Sequence, residues 1–503
     1  MVCPAYGPQT TFPVGSNPAG ITTGDFNHDG NLDLAVTNSG ETSISVLLGD
    51  GAGSFGTQTT FSVGSGPVGI TTGDFNHDGN LDLAVANSGD ATVSVLLGDG
   101  AGSFGTQTTF SVGSSPLGIT TGDFNHDGNL DMAVTNSGDA TVSVLLGDGA
   151  GSFGTQTTFA TGTNPFGITI GDFNHDGNLD LAVTNNGDDT VSVLLGDGTG
   201  SFGTQTTFTV GGNPVGITTG DFNHDGNLDL AVANQNDASV SVLWGDGMGS
   251  FGTQVTFAVG TFPQIITIGD FNCDGSFDLA VTNFDDATVS VLLGDGAGSF
   301  GPQATFATGG ASFGITTGDF NSDGALDLAT ANLNNSNISV LLNSCVNPLT
   351  CPDLTLENDP GTCEATVPLP TSAQCSNVIT VCNPDTVQVG SPTSVTCTAT
   401  SDIDQTNSEA CTFTVTVNDT EPPVLSGLND IEIIADNQIG IIVTYPDPTA
   451  TDNCPGTITI TCTPPSGSFF PIGTTTVTCT ATDSNGNSST GTFTVMVIPF
   501  QGE

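Results

Sequence analysis

Oxygen-bearing side chains recur at alternate positions of the segment D-F-N-x-D-G-x-x-D, which begins at Asp25, Asp74, Asp123, Asp172, Asp221, Asp270 and Asp319, each start 49 residues after the one before. In the first copy the side-chain donors are Asp25, Asn27, Asp29 and Asp33, Asn31 contributes its backbone carbonyl, and Gly30 stands at the turn. Donors at positions 1, 3, 5, 7 and 9 with glycine at 6 are the spacing of a calcium loop. The chemistry is coordination of a hard cation by carboxylate and carbonyl oxygen. The same positions recur as Asp74, Asn76, Asp78, Asn80 and Asp82; as Asp123, Asn125, Asp127, Asn129 and Asp131; and as Asp172, Asn174, Asp176, Asn178 and Asp180. They continue as Asp221, Asn223, Asp225, Asn227 and Asp229; as Asp270, Asn272, Asp274, Ser276 and Asp278; and as Asp319, Asn321, Asp323, Ala325 and Asp327. Ser276 and Ala325 depart from Asn at the seventh position, where a backbone carbonyl serves, so about seven Ca²⁺ sites are expected. An Asp/Asn/Gly turn without a ligand is the ordinary alternative for one such segment; seven copies with one donor spacing argue against it.

A fixed period of this length marks a repeat architecture. One unit reads GITTGDFNHDGNLDLAVANSGDATVSVLLGDGAGSFGTQTTFSVG. It holds four runs rich in Val, Thr, Ile and Phe and bounded by Gly, Asn or Asp: ITTGDF, DLAVAN, TVSVLLG and TQTTFSV. These patterns predict strands, with no helical period between them. Four strands per unit, seven times over, predict a β-propeller. The seventh unit stops after ISVLLN, and the run it lacks stands at the other end of the chain as QTTFPVG (Gln9–Gly15). The N-terminus is therefore expected to supply the outer strand of the last blade. The same alignment places Cys3 and Cys345 at consecutive positions of one virtual repeat and predicts a disulfide clasp between them.

On these residues the segment 9–343, with GDFNxDGxLDLAVxN followed by VSVLLGDGxGSF, resembles the FG-GAP or VCBS repeats of bacterial surface proteins, which are similar to the integrin α-subunit propeller. The resemblance implies a seven-bladed propeller with calcium between the first two strands of each blade. Val36 at position 12 and the absence of flanking helices exclude an EF-hand. From about Cys351 the period ends and Pro, Thr and Cys rise. The stretch TDNCPGTITITCTPPSGSFFPIGTTTVTCTATDSNGN followed by TGTFTVMVIP resembles the hyalin repeat, an immunoglobulin-like β-sandwich of extracellular proteins, and residues 352–419 look like a looser copy. The expected fold class is all-β: a propeller over 1–346, a sandwich over 347–419 and a second over 420–503.

The chain has no lysine and no arginine, and 52 acidic residues give a formal charge of −52 over 503 residues. Nothing in it can neutralise phosphates, which excludes nucleic acid as a partner and argues against anionic membrane surfaces. No run approaches a membrane span. Selection against trypsin-like cleavage and tuning to divalent cations or salt are both open explanations for the missing basic residues. Nine of the 12 cysteines lie between Cys351 and Cys479, the mark of an oxidised, secreted region. The start, MVCPAYGPQTTF, has neither a basic nor an apolar leader segment, so a leader is expected to have been removed or omitted. Six cysteines in the first sandwich allow three bridges. Three in the second leave one over, so Cys273 and a tail cysteine are expected to be unpaired or to link subunits.

The five histidines all occupy position 4 of the acidic loops and read as solvated loop residues rather than metal ligands. The GDGxGxF turns (Asp50, Asp99, Asp148, Asp197, Asp246, Asp295) read as tight hairpins, and the recurrent Phe as inter-blade core. Trp244, Met248, Phe262, Gln264 and Phe284 break the pattern in the fifth and sixth units, by repacking or as a ligand-facing patch. Acidic residues repeated alike around a ring describe structure rather than an active site, so no catalytic residue is expected. The leading expectation is a secreted or cell-surface, calcium-stabilised structural and adhesion protein, a subunit of an extracellular filament or surface layer. Its partner would be itself, head to tail, or a cell-surface or matrix protein or glycan. The alternative is a carbohydrate- or protein-binding adhesin with specificity in blades five and six, and a propeller hydrolase or lyase comes third.

Overall fold

Each complete repeat folds into four antiparallel strands in sequence order. The computed structural model describes residues 4–345, 349–370, 378–401 and 408–501. The chain begins with β1 (Thr10–Pro13), which belongs to the last blade; the first blade is β2 (Pro18–Gly24), β3 (Asp33–Asn38), β4 (Ser43–Leu47) and β5 (Thr59–Ser62). β2 meets β3 from Thr23↔Leu34 to Ile21↔Val36, with a bulge before Pro18↔Asn38. The acidic loop is the connection between these two strands, so its first donor follows the end of β2 and its last donor opens β3.

All six residues of β3 are buried, because sheet neighbours flank it and a blade lies against each face. Side chains alternate between those faces. Leu34 and Val36 pack with Ala329, Ala331, Ile338 and Val340 of the seventh blade. Ala35, Ile44 and Val46 pack with Leu83, Val85 and Leu96 of the second. Small residues of one blade thus receive large ones of the next. Each fully buried Leu or Val contributes about 1.5–3 kcal/mol. Phe26 and Phe61 both stand edge-on to Phe104 of the second blade, at 5.5 and 5.4 Å between ring centres, which confirms the inter-blade reading of the phenylalanines.

Around the axis the inner strands of every blade but the sixth approach the next so closely that only glycine fits. A Cβ on Gly20 would lie 2.2 Å from the Val68 carbonyl oxygen, and a Cβ on Gly314 the same distance from that of Ala19. The second contact joins the seventh blade to the first and closes the ring. Its outer side is closed by β1, which pairs with Asn337–Leu341 in the register Thr10↔Val340 and Phe12↔Ile338. Gln9 Oε1 accepts from Ser339 as Gln58 Oε1 accepts from Ser45 in the first blade. The N-terminal segment therefore occupies the outer-strand position the repeat alignment assigned to it. Cys3 lies outside the described residues, and so does the expected clasp; Cys345 is held in a disulfide.

A second compact unit carries the two sandwiches. In the first, Leu354–Glu357, Ser408–Asn418, Thr393–Ser401 and Val378–Asn383 form one sheet in that order; in the second, Ile431–Ile434, Ser488–Ile498, Gly473–Thr482 and Thr459–Thr463 do the same. In both, the first of these strands runs parallel to the second, as in Leu354↔Val415 and Ile431↔Val495. The looser copy therefore shares the topology of the tighter one.

The cysteine accounting needs correction. Cys351–Cys411 and Cys382–Cys397 are internal to the first sandwich and Cys462–Cys479 to the second, but Cys363 pairs with Cys454 across the two. Cys454 is thus no leftover, and Cys273 is also in a disulfide rather than a free thiol. Cys375 lies outside the described residues. The parity count failed because it assumed that each sandwich closes its own bridges.

Phe12 is buried in the seventh-blade core, edge-on to Phe55. Phe12→Ala is expected to cost about 3 kcal/mol and to raise amide exchange in Asn337–Leu341, the strand it covers. Wild-type exchange there in the variant would show that β1 is not a closing strand.

Candidate metal centres in the blade loops

The loop backbone is shaped by its own acceptors. Asp25 accepts from the N–H groups of Asp29 (3.2 Å) and Gly30 (3.0 Å), Asn27 Oδ1 from Asp29 (3.0 Å), and Asp29 Oδ1 from Asn31 (2.8 Å). His28 and Gly30 take positive φ, 58° and 88°. The chain doubles back so that alternate residues turn their oxygens inward, and Asn27 Nδ2 already reaches Asp29 Oδ2 at 3.0 Å. The same bonds recur from loop to loop, including the Ser276 and Ala325 copies, where Asp274 and Asp323 accept the N–H at 2.8 and 2.7 Å.

Asp33, the ninth-position residue, is fully buried. Its two oxygens accept from Phe26 N (2.9 Å) and Gly49 N (2.8 Å), tying the loop to both the β2–β3 turn and the end of β4. Burial pushes this carboxyl up, the two N–H groups oppose the shift, and the like charges of Asp29 and Asp25 add to it. The equivalents follow the same order of causes: burial raises Asp131, Asp180 and Asp229 to about 6, Asp278 to about 7 and Asp327 to about 8. A buried carboxylate ordinarily has a cationic partner, and this chain has no ammonium or guanidinium side chain to supply one. Oxygen-only donors, glycine at the reversal and an anionic residue buried beneath the loop fit a calcium ion. Each carboxylate oxygen has a second lone pair beyond the one its N–H bond uses.

The histidines are not merely solvated. His28 Nε2 stands 3.0 Å from Asn80 Oδ1 in the next blade's loop, with the ring N–H donating. His77–Asn129, His126–Asn178 and His175–Asn227 repeat the contact at 3.0, 2.9 and 3.0 Å. Sequence reasoning missed this because the partners lie one repeat apart. The signal was available in the pairing of His at position 4 with Asn at position 7 of the following copy. Gly100 makes room for the junction: its Cβ would fall 2.3 Å from Asn80 Oδ1 and 3.1 Å from His28 Cδ2.

The GDGxGxF segments are tight turns as expected. Asp50 Oδ1 accepts from Ala52 N and Ser54 N, which occupies it within the turn. Each turn also reaches back: Gly102 N donates to the Phe26 carbonyl of the preceding loop at 2.9 Å. Trp244 packs on the blade five–six core, its ring edge against Gly298, so repacking accounts for it. Gln264 is buried, whereas Met248 is 74% exposed. In the C-terminal unit Asp419, Asp452 and Cys454 bring ligand-type atoms within 4.8 Å of one another, but the Cys454 sulfur is spent in its bridge to Cys363.

With this geometry in view, the comparisons are specific. The FG-GAP-like repeat model matches residues 25–85, 74–134, 123–183, 173–232, 221–281 and 270–330, and the HYR domain model matches 418–497. Hyalin of Lytechinus variegatus is 37% identical over 138 residues, 26% of this chain and 26% of that protein. Hyalin of Strongylocentrotus purpuratus is 41% identical over 97 residues, 18% of this chain and 8% of that one. The chain thus spans about a quarter or less of the length of these relatives. The crystal structure of BBS1N in complex with ARL6DN superposes with a TM-score of 0.50 at 12% identity, over 68% of this chain and 98% of that one, a likeness of fold alone.

The raised carboxyls predict an inverted pH profile for the metal-free protein. A carboxyl whose pKa is higher folded than unfolded stabilises the fold below about pH 4 and loses that contribution as pH rises through the folded value, here about 6 to 8. Protein stripped over chelating resin should melt lower at about pH 8 than at about pH 5, and saturating calcium should remove the slope. Stripped protein that melts higher at the alkaline pH would contradict the placement of these aspartates.

Proposed function

Because this chain belongs to the FG-GAP-like repeat family and ends in an HYR domain, we propose that it is an extracellular structural and adhesion protein whose propeller is a ring of seven calcium sites. One observation carries the reading: every blade buries an aspartate under an oxygen-lined loop, in a chain without a cationic side chain. Asp25, Asn27, Asp29, the Asn31 carbonyl and Asp33 would hold the ion in blade one, with the equivalent five in the others. Calcium bound there supplies counter-charge and rigidity. The chain's own residues do the rest: Asp33 ties the loop to two strands, and the glycines let it close.

Disulfides in both sandwiches and likeness to hyalin support an extracellular setting. The near-identity of the first four blades supports a scaffold that meets further copies of itself, or a matrix protein or glycan, over a repeated surface. It does not support an enzyme, because the loop carboxylates and histidine recur alike in all four blades. The adhesin reading has its own observation in blades five and six. Met248, Val255, Phe262 and Phe277 are exposed there, where the first four blades carry Ala or Thr, Thr, Asn, Ser or Gly, and Leu.

Differential scanning calorimetry with and without calcium tests the metal. A ligand at 100 times its Kd stabilises by about 2.7 kcal/mol per site, so the propeller transition should fall steeply on calcium removal while the disulfide-held unit persists. A propeller transition indifferent to calcium would sink the assignment. Electron microscopy of calcium-loaded protein tests the role: ordered filaments or sheets are expected of a structural subunit, and dispersed monomers at high concentration would favour the adhesin.

A further inference from the structure

The four His–Asn contacts join ligand-bearing segments of neighbouring loops. His28 stands between the donors Asn27 and Asp29, and its partner Asn80 is the residue whose carbonyl is the seventh-position donor of the next loop. Asn80 N in turn donates to Asp78 Oδ1 at 2.8 Å. The path from donors of one loop to donors of the next is therefore two hydrogen bonds long. A parallel link fixes the start of the same loop, through Gly102 N and the Phe26 carbonyl. Both repeat at the first four blade interfaces with distances that agree to 0.1 Å.

Beyond those interfaces the His–Asn contact is replaced, although Gly53 N still donates to the Phe320 carbonyl between blades seven and one. His224 stands with Ser276, not Asn, against Gly296. Cys273 takes the histidine position in blade six and packs with Ala325 and Cys345 in an apolar cluster, both cysteines being in disulfides. At the sixth interface both partners are exchanged together, Cys273 for the histidine and Ala325 for the asparagine.

Resting on the calcium reading above, we infer that His28, His77, His126 and His175 are positioning residues that couple calcium occupancy between adjacent loops of blades one to five. The histidine can meet the next loop's Asn only when both loops hold their closed shape. Calcium closes a loop by cancelling the repulsion of its three carboxylates. Occupancy of one loop thus presents the histidine that helps order the next. A hydrogen bond of this kind makes binding at the neighbour about threefold to tenfold tighter, and linkage makes the effect reciprocal.

The test uses the full chain and calcium alone, by isothermal titration with flame-photometric stoichiometry. The wild type is compared with the Asn80→Ala/Asn129→Ala/Asn178→Ala/Asn227→Ala variant, which keeps every backbone carbonyl and places at each site the residue that Ala325 already is. A Hill slope above 1 in the wild type that falls towards 1 in the variant, with the same number of ions bound, is expected. Equal slopes overturn the coupling and leave the calcium reading standing. Fewer ions in the variant also overturn it, since the Asn side chain would then be a ligand. A wild type that takes up no calcium overturns both. A melting cycle of His77→Asn and Asn129→Ala adds a readout that a purely structural contact would not move. Asparagine tolerates the positive φ at His77. The two substitutions should be non-additive with calcium and additive without it; additivity in both states overturns the inference.

Discussion

Uncompensated negative charge is the constraint on which the rest of this protein depends. Two carboxylates about 4 Å apart repel by about 4 kcal/mol in a surface-like dielectric, and each blade gathers three in one short loop. No lysine or arginine offsets them. The protein does not avoid the problem by exposing every group: the ninth-position aspartates are fully buried, and burial raises their proton affinity. Such a site is stable with a cation or with protons, and poorly stable with neither. On the proposed calcium reading, folding is conditional on the cations the surrounding medium supplies.

The ring geometry follows from small residues as much as from large ones. Glycine at Gly20, Gly69, Gly118, Gly167, Gly216 and Gly314 lets each inner strand approach the next blade's backbone, and alanine in the second strand receives leucine and valine from the neighbour. Ile265 stands where the sixth blade would carry this glycine and packs instead on the blade six–seven core. The axial space left is about 180 Å³, lined by Gly, Ala and apolar side chains, with Phe166 and Phe313 facing each other at 6.3 Å. The chemistry lies out in the loops, where the strands hand it over.

What could be read from the residues alone was what repeats. The strands, the acidic loops between them and the closing strand at Thr10–Pro13 were legible because the 49-residue period aligns equivalent environments without knowledge of distance. What could not be read was what crosses between repeats or between domains. His28 is exposed as expected, but its contact with Asn80 stayed hidden because that residue is in another copy. One of Cys454, Cys462 and Cys479 counted as left over because the partner of Cys454, Cys363, is in another sandwich. Periodicity reports the environment of a position within its unit; the contacts that join units depend on the angle and offset between them, which no single repeat encodes.

That distinction also explains where the repeats diverge. The loops of blades six and seven keep every acidic donor, yet alter the positions that look sideways: Cys273, Ser276, Ser322 and Ala325. If those positions mattered only to their own loop, drift would fall there no more than elsewhere. At the sixth interface the two facing positions change together, and the polar His–Asn contact gives way to apolar packing of Cys273 with Ala325 and Cys345. This is the side of the ring where the chain enters and leaves, since β1 completes the seventh blade. A hydrogen bond on the exposed rim contributes about 0.5–1.5 kcal/mol, whereas a disulfide restricts the unfolded chain by about 2–4 kcal/mol. Cysteines held in disulfides, Cys273 and Cys345, thus stand beside the blade that β1 completes, and the weaker, reversible contacts stand where the repeat is continuous.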